Sequence, residues 1–488
     1  ELVDANRPPV EQMQEILARD DPAVYAMIRK ADTIGVFQIE SRAQMSMLPR
    51  LKPQEFYDLV IEVAIVRPGP IQGEMVHPYL QRRLDPSKIV FEKEELRTVL
   101  GRTLGVPIFQ EQVMQLAMVA GGFTADDADG LRRAMAAWRR KGTLEKYEAQ
   151  LRKGMKDRGY TSDFIIKICK QIYGFSDYGF PESHAASFAL LAYVSSWIKH
   201  YHPAPFLAAL LNSQPMGFYS PSALVQDARR HDVEVRAVDV TRSEWDSTLE
   251  RDIDPPAVRL GFSLAKGAAE NAMRRIVAAR TERPFESVDD LALRADLTRR
   301  DLRALAAAGA LSSLAGHRRN AYWLAAGNRN PGILGKAPVH ETQATLASPS
   351  EWDDINADYA SLRLTLGRHP LALLRRRLQK LRLATAAELH KLPSGSPART
   401  AGIVTGRQRP ETARGTIFVT IEDETGYTNI VIWNRLAERQ RRELLDSRLL
   451  GVEGTLERDG EVVHLIARRL IDHSPLLGRL MVESRDFH

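Results

Sequence analysis

The hydrophobic pattern of this chain changes its period near residue 399, which limits the folds that it can adopt. Before that point apolar residues recur mostly at helical spacing, as in residues 105–123, where Gly121-Gly122 mark a helix end. One β-rich stretch, TIGVFQIES at 33–41, interrupts the helices. After residue 399, strand-length alternating runs are separated by turn signals such as Thr425-Gly426. The sequence therefore predicts an α+β protein, with a mostly helical body and a small closed β-barrel at the C-terminus.

The composition fits a protein of several domains in a reducing compartment. The 488 residues are 44% hydrophobic, and the single Cys169 excludes an internal disulfide, which favours a cytoplasmic location. No run of about 18 apolar residues predicts a membrane span. A net charge of +6 permits binding to a polyanion. Because the first ten residues, ELVDANRPPV, show neither an initiator methionine nor a signal-peptide pattern, we expect the chain to be part of a longer protein.

The basic residues are clustered, most densely in LRRAMAAWRRK at 131–141. Its five cations are Arg132, Arg133, Arg139, Arg140 and Lys141. Arg132 and Arg139 share a helix face, and their planar guanidinium groups suit phosphate oxygens. Trp138 adds a stacking surface, and since the three acids within 126–129 precede the helix core, we expect them to leave this face unneutralised. A solvated charged face is the alternative.

A second pattern that suits an anion lies in SDYGFPESHAASFALLAYVSSWIKHYHP, residues 176–203. Ser183 and His184 stand where a long apolar-periodic helix begins, and free N–H groups at a helix N-terminus favour an anion. A capping serine and a packing histidine are the alternative. Arg67 stands beside a rigid Pro-Gly-Pro turn at 68–70 and could clamp a ligand, although a surface arginine fits the pattern equally well.

Two further segments favour nucleic-acid binding. Residues 296–319, DLTRRDLRALAAAGALSSLAGHRR, have the form helix, glycine-bearing turn and basic helix start, in which helix-hairpin-helix elements hold a DNA backbone. Arg318 and Arg319 are the candidate contacts there, although any basic helical hairpin gives a similar pattern. We expect the barrel to be an OB-fold, in which Phe418 and Trp433 would stack on single-stranded bases. Core packing is the alternative for such aromatic residues.

The residues by themselves predict no reaction centre. Asp252 and Asp254 have the Asp-x-Asp spacing of a Mg²⁺ site, but they lie in a proline-containing turn beside Arg251 with no third acid nearby. We therefore reject them as metal ligands. No zinc-site spacing, P-loop or G-x-S-x-G motif occurs. The residues alone thus predict a nucleic-acid binder with no catalytic or metal-binding residues of its own.

Four long motifs resemble the fingers of the bacterial C-family DNA polymerases, the family of the replicative polymerase III α subunit. Between residues 31 and 212 they are, in order, TIGVFQIESRAQMSMLPRLKP, IVRPGPIQGEMVHPYLQRR, PIFQEQVMQLAMVAGGFTADDADGLRRAM and YGFPESHAASFALLAYVSSWIKHYHP. A weaker similarity continues through the rest of the chain. The resemblance implies four domains: polymerase fingers at 1–282, a helix-hairpin-helix region at 283–324, a linker and helical connector at 325–398, and an OB-fold with a C-terminal tail at 399–488.

Details within the motifs resemble the error-prone, ImuC-type branch of this family. ESRAQMSMLPRLKP, RRAMAAWRRKGTLEKY and the terminal SRDFH have the form of that branch, and residues 325–350 contain no clamp-binding peptide. This resemblance implies damage-induced translesion synthesis, accessory proteins of the ImuA and ImuB type as partners, and only indirect contact with the sliding clamp. A replicative α subunit and a non-catalytic scaffold derived from one are the alternatives.

The family transfers a nucleotide from a dNTP to the primer 3′-OH, using Mg²⁺ held by palm aspartates that lie upstream of the matching region. The resemblance therefore implies that this chain supplies nucleotide and primer-template DNA binding, without those aspartates. Carried over by position, the residues expected at or near the triphosphate are Arg67, Arg132, Arg133, Ser183 and His184. Arg139, Arg140 and Lys141 depart from the family pattern and are expected on the template DNA.

Overall fold

The computed structural model describes residues 7–67, 75–136, 143–177, 180–217, 219–327, 346–409, 415–459, 462–478, 480 and 485–487. The chain divides into two compact units, one built mainly from Val3–Tyr201 and the other mainly from His202–Asp459 and Val463–His488. This division falls inside the fingers domain predicted for 1–282, and the four predicted domain bounds stay predictions. Among the described residues, no helix combines the length and the apolar composition needed to cross a membrane.

The described elements of the first unit are helices. They are α1 (Pro9–Arg19), α2 (Pro22–Arg29), α3 (Arg42–Leu51), α4 (Phe56–Ile65), α5 (Val76–Leu84), α6 (Glu95–Leu100), α7 (Gln110–Gly121), α8 (Ala125–Ala136), α9 (Thr143–Asp157), α10 (Ser162–Asp177) and α11 (Glu182–Tyr201), with 3₁₀ helices at Pro86–Lys88 and Gly101–Thr103. Helix α7 ends at Gly121 with Gly122 in the left-handed conformation, as its glycine pair predicts.

Helix α4 forms the centre of the first unit and packs most extensively against α11. Its residues from Asp58 to Ile65 are all buried, which follows from the apolar run LVIEVAI. Asp58 fixes the start of the helix by accepting the backbone N–H groups of Gln54 and Glu55 at 2.8 and 3.3 Å. Arg83 of α5 binds the same carboxylate, so α5 is tied to the N-terminus of α4.

Residues 33–41 form turns and contain no strand, so the β-rich prediction for this stretch is wrong. The backbone bonds are local: Val36 N–H donates to Thr33 O at 3.0 Å, and Thr33 Oγ1 donates to Ile39 O at 2.7 Å. The branched side chains are nevertheless buried in the core. Lys199 of α11 anchors the stretch, because its buried ammonium group donates to Ile34 O at 3.1 Å and lies 2.9 Å from Asp32 Oδ1.

The second unit begins with helices and a small sheet and ends with the barrel. Its helices are α12 (Pro203–Asn212), α13 (Pro221–Arg230), α14 (Glu270–Glu282), α15 (Val288–Arg294), α16 (Arg299–Ala307), α17 (Ser312–Ala315), α18 (Arg318–Gly327), α19 (Glu351–Leu362), α20 (Pro370–Lys380), α21 (Ala386–Leu389), α22 (Asn434–Arg439) and α23 (Arg441–Asp446), with 3₁₀ helices at Phe262–Leu264 and Ser474–Leu477. Its strands are β1 (Val235–Arg236), β2 (Thr248–Glu250), β3 (Ala257–Arg259), β4 (Pro397–Gln408), β5 (Ile417–Asp423), β6 (Gly426–Ile432), β7 (Leu449–Asp459), β8 (Val462–Asp472) and β9 (Arg485–Phe487).

The strands form two sheets. In the first, β3 lies between the parallel β1 and the antiparallel β2. The second has the order β5-β6-β8-β7-β4-β9 and closes on itself because β5 also pairs with β4. A bulge between Val404 and Gly406 bends β4, which pairs with β7 in its first half and with β5 in its second half. The short β9 adds a parallel strand beside Gly406–Gln408.

The alternate apolar residues of the strands point inward and fill the barrel. Val419 and Ile421 of β5 and Ile430 and Ile432 of β6 all join the buried cluster inside it. A second cluster seats α19 and α20 against the outside of the barrel, where Leu371 and Leu378 pack near Ile403 and Leu449. The α+β prediction, with a helical body followed by an OB-type barrel, is confirmed.

Candidate nucleotide and nucleic-acid site

The N-terminus of α11 presents two exposed residues of the predicted site. The helix begins at Glu182 after Pro181, so Ser183 and His184 occupy its first turn, and both are exposed to solvent. The unpaired N–H groups of a first helical turn and the helix dipole favour a negatively charged ligand on this side.

The other side of the α11 tip is acidic, which the sequence reasoning missed. Glu182 accepts a hydrogen bond from Tyr57 Oη at 2.7 Å, and its backbone N–H donates to Glu111 Oε2 at 3.0 Å. Arg102 stacks on the Tyr57 ring with its guanidinium carbon 3.9 Å from the ring centroid. Tyr57, Arg102 and Glu182 border a cleft of about 600 Å³ that Asp20 and Glu55 also line. Carboxylates repel phosphate, so an anion is favoured on the side of Ser183 and His184.

An aromatic cluster holds His184 and Arg67 on the same side. The His184 ring lies edge-on between Phe180 and Phe188, with centroid distances of 4.9 and 4.5 Å. The guanidinium carbon of Arg67 lies 4.5 Å from the centroid of the Phe180 ring. The structure therefore brings Arg67 and His184 together through Phe180. Sequence reasoning did not predict that Phe180 and Phe188 support His184, although the spacing 180, 184 and 188 predicts one helix-like face.

Arg132 and Arg133 lie on α8, where both bind Asp129. Arg132 Nη2 is 2.8 Å from Asp129 Oδ1, and Arg133 Nη2 is 2.8 Å from Asp129 Oδ2. The expectation that the acids of residues 126–129 leave this face unneutralised is therefore wrong for Asp129, because an aspartate three and four residues before two arginines can reach both. The Arg132 hydrogen bond, followed by the charge of Arg133, holds the pKa of Asp129 below its usual range. The side chain of Arg133 is 70% exposed and that of Arg132 is 43% exposed.

The remaining cations of the basic segment fall on residues that the structure does not describe. Trp138, Arg139, Arg140 and Lys141 all lie in the 137–142 gap. Their expected contact with the template DNA stays a prediction.

The two arginines of the predicted helix-hairpin-helix region have different surroundings. Arg318, at the start of α18, is 11% exposed and binds Asp354 Oδ1 at 2.8 Å and Asp358 Oδ1 at 2.5 Å. As a DNA contact it stays a prediction, and DNA phosphates would compete with these carboxylates. Arg319 is 48% exposed, and its Nη1 donates to Ala347 O at 2.9 Å. The surface position of Arg319 suits a phosphate contact better than the mostly buried position of Arg318 does.

The barrel presents the two predicted stacking residues near one end of β5 and β6. Phe418 points away from the barrel core, since its neighbours Val419 and Ile417 face inward, and it pairs with Val431 across the sheet. Trp433 follows β6 at the N-cap of α22 and is 55% exposed. At the other end of these strands, Tyr427 lies under Arg230 of α13, whose guanidinium carbon is 5.0 Å from the ring centroid. Burial raises the pKa of Tyr427 well above its usual value.

The acids considered for a metal do not fit one. Both carboxylate oxygens of Asp252 accept hydrogen bonds from Arg236 Nη1, at 2.8 and 2.9 Å. The same guanidinium group also binds Glu250 at 2.5 Å, so the Asp252 carboxylate already has a cation as its partner. Asp252 and Asp254 therefore serve as structural and surface acids, and we assign no metal to them.

Comparison with known proteins agrees with this arrangement of elements. Residues 2–159 match the family model of the bacterial DNA polymerase III alpha subunit finger domain. Residues 232–321 match the helix-hairpin-helix motif, and residues 398–472 match the OB-fold nucleic acid binding domain.

Error-prone DNA polymerases from several bacteria are similar to the chain along nearly its whole length. Those of Aromatoleum aromaticum and Azoarcus sp. are each 59% identical over 96% of the chain, and that of Alkalilimnicola ehrlichii is 58% identical over 96%. The chain is thus similar to the bacterial C-family DNA polymerases. The resemblance to the error-prone branch of this family is confirmed by the same relatives. The chain spans about half the length of these polymerases, namely 46%, 45% and 46% of them.

Helices α1 to α9, with the two α8 arginines, fall inside the matched finger domain, whereas α11 lies beyond residue 159. Arg318 and Arg319 fall inside the helix-hairpin-helix match. Phe418 and Trp433 fall inside the OB-fold match. The roles of the individual residues stay predictions.

Proposed function

We propose that this chain supplies the nucleotide- and DNA-binding parts of an error-prone DNA-directed DNA polymerase that acts in damage-induced translesion synthesis. The observation that supports this most strongly is the exposed first turn of α11, where His184 and Arg67 both contact Phe180, in a chain whose relatives are named error-prone DNA polymerases. The protein would act on primer-template DNA and dNTP in the cytoplasm. Accessory proteins of the ImuA and ImuB type belong to the same proposal.

The charges of the site suit the triphosphate of a nucleotide. During transfer, the primer 3′-OH attacks the α-phosphorus, and pyrophosphate leaves with negative charge developing on its oxygens. Guanidinium groups and a helix N-terminus that are already in place stabilise that charge without reorganising. Arg67, Ser183 and His184 would contact the triphosphate at the α11 tip, and Arg132 and Arg133 would do so from α8. The 70% exposure of Arg133 leaves it accessible to a ligand.

The reaction also needs divalent cations, which we expect to be Mg²⁺ and which neutralise the phosphates during transfer. Because Asp252 and Asp254 do not fit a metal, we propose that the metal-binding aspartates lie in the half of the relatives that this chain does not cover.

DNA would bind to the second unit. The surface position of Arg319 suits the phosphate backbone. The half-buried ring of Phe418 and the exposed ring of Trp433 suit unpaired template bases. Since Tyr427 is covered by Arg230, base stacking on the barrel would be confined to the end that carries Trp433.

Replacing Arg132 by alanine tests the nucleotide-binding role. In single-nucleotide insertion by the full-length polymerase, we expect Arg132→Ala to raise the apparent KM for dNTP about tenfold and to slow incorporation, because a charge-assisted phosphate contact is lost. Arg152→Ala is a matched control, since Arg152 is also 43% exposed and also pairs with an acid on its own helix, outside the proposed site. Unchanged kinetics in both Arg132→Ala and Arg133→Ala would contradict the assignment, and a full-length protein that incorporates no nucleotide would contradict the proposed function.

A further inference from the structure

The turn that precedes α3 has a strained residue next to the proposed nucleotide site. Gln38 has a φ of +72°, in the left-handed region of backbone conformation that residues other than glycine and asparagine rarely adopt. Its neighbour Phe37 is 49% exposed although it is a large apolar residue. Strained backbone persists where the surrounding contacts fix it, and it is concentrated at functional sites.

Both residues contact the aromatic cluster at the α11 tip. Gln38 Oε1 accepts a hydrogen bond from Arg67 Nη2 at 3.1 Å, and the Phe37 ring lies 5.5 Å from the Phe188 ring. Together with the contacts described above, they close a ring of side chains. In order around the ring, its members are Gln38, Arg67, Phe180, His184, Phe188 and Phe37.

We propose that Gln38 is a positioning residue that sets the direction of the Arg67 guanidinium group. This inference rests on the proposed function, in which Arg67 contacts the triphosphate. The group is held at two edges, by Gln38 at Nη2 and by Val63 O at Nε at 3.2 Å, while Phe180 covers one face. Arginine loses much rotamer freedom on binding a ligand, so a guanidinium group that is already oriented binds at a lower cost in entropy.

The choice of glutamine has a chemical reason. Its amide oxygen accepts the hydrogen bond without carrying charge, so Arg67 keeps its full positive charge for a phosphate. A glutamate at the same position would reach Arg67 equally well but would neutralise it. An asparagine would tolerate the left-handed backbone, but it is one methylene shorter and would leave Arg67 without this contact.

Two variants of Gln38, each made with and without Arg67→Ala, test the inference in the full-length polymerase. We expect Gln38→Asn to raise the apparent KM for dNTP roughly threefold to tenfold while kcat changes less than about twofold, because only the ordering of one side chain is lost. Gln38→Glu should raise KM at least as much, because the carboxylate competes with phosphate for Arg67. In the Arg67→Ala background neither substitution should change KM further, since Gln38 acts through Arg67.

The outcomes separate the inference from the proposed function. If Arg67→Ala raises KM but the Gln38 variants leave it unchanged, or add their full effects to that of Arg67→Ala, the positioning role is overturned. If Arg67→Ala leaves KM unchanged, the proposed contact between Arg67 and the triphosphate is overturned first. Thermal unfolding of each variant shows whether it is folded. If Gln38→Asn does not fold, Gln38→Gly takes its place, because glycine adopts the left-handed conformation readily and also lacks the amide that accepts from Arg67.

Discussion

Asp129 controls how much positive charge α8 offers to a ligand. One carboxylate binds the guanidinium groups of both Arg132 and Arg133, and all three side chains are at least 39% exposed. Exposed ion pairs of this kind contribute little to stability, because water screens them. The same carboxylate competes with a phosphate for both arginines. Its main effect is therefore expected on ligand binding.

Replacing Asp129 by asparagine should strengthen nucleotide binding. The substitution frees both guanidinium groups while keeping a side chain of the same size, so we expect the apparent KM for dNTP to fall by roughly twofold to fivefold at low salt. Asp126→Asn is the matched control, because Asp126 lies in the first turn of the same helix. The measurement is single-nucleotide insertion at two ionic strengths, and a rise in KM for Asp129→Asn would show that the pairing orients the arginines instead of masking them.

At the scale of single residues, the sequence predicted charge but not pairing. Arg132 and Arg133 could be chosen because their chemical type alone suits phosphate. Their partner Asp129 stands three residues before Arg132 and four before Arg133. Which acid a flexible arginine pairs with, however, depends on rotamers and on competing neighbours. The support that Phe180 and Phe188 give His184 was missed for a related reason, since the ring contacts that provide it are a property of the packed molecule.

Among the elements, helix α20 begins at a residue that titrates. His369 is its N-cap, and its Nδ1 accepts the backbone N–H of Leu371 at 3.2 Å, which requires a neutral ring. Burial lowers the pKa of His369 from 6.5 to about 4; nearby Arg375 adds to this effect, and Glu424 opposes it. Because the folded pKa is the lower one, the unfolded chain takes up the proton first. The stabilisation is therefore complete above about pH 6.5 and is lost as the pH falls toward 4.

Replacing His369 by asparagine should remove this pH dependence. Asparagine is a good N-cap and does not titrate, so the free energy of unfolding of the variant should fall less between pH 6.5 and 4, by roughly 1–3 kcal/mol. Urea unfolding followed by circular dichroism at several pH values measures the difference. His390→Asn, at an exposed histidine, is the control. Parallel pH profiles for the wild type and His369→Asn would contradict the prediction.

Elements with a long, regular pattern were predictable, and the short irregular ones were not. The alternation after residue 399 identified the barrel because a strand with one buried face repeats every two residues. Residues 33–41 contain the same branched residues without a partner strand, so local composition suggested β structure where the chain forms turns. The left-handed conformation of Gln38 leaves no trace in the sequence, because glycine or asparagine would be the usual residue there.

For the whole molecule, substitutions of two neighbouring arginines of α18 should affect different properties, one the stability of the fold and the other the binding of DNA. Arg318→Ala leaves Asp354 and Asp358 without their shared partner, so we expect a loss of roughly 1–3 kcal/mol of unfolding free energy. Arg319→Ala should leave stability within about 0.5 kcal/mol and should weaken primer-template binding, with a salt slope smaller by about one. Fluorescence anisotropy with labelled DNA across a salt series measures the second effect. If Arg318→Ala changes the salt slope and Arg319→Ala does not, the roles are reversed.

The anchoring of residues 33–41 to α11 has a mechanical consequence. The stretch is fastened at Lys199 near one end of the helix and at Phe188 near the other, eleven residues and about 16 Å apart. Because residues 33–41 are attached at two points along one helix, they must move whenever α11 moves. A motion of α11 that brings His184 toward a substrate would therefore also move Gln38. The hydrogen bond from Gln38 to Arg67 and the position of His184 would then change together.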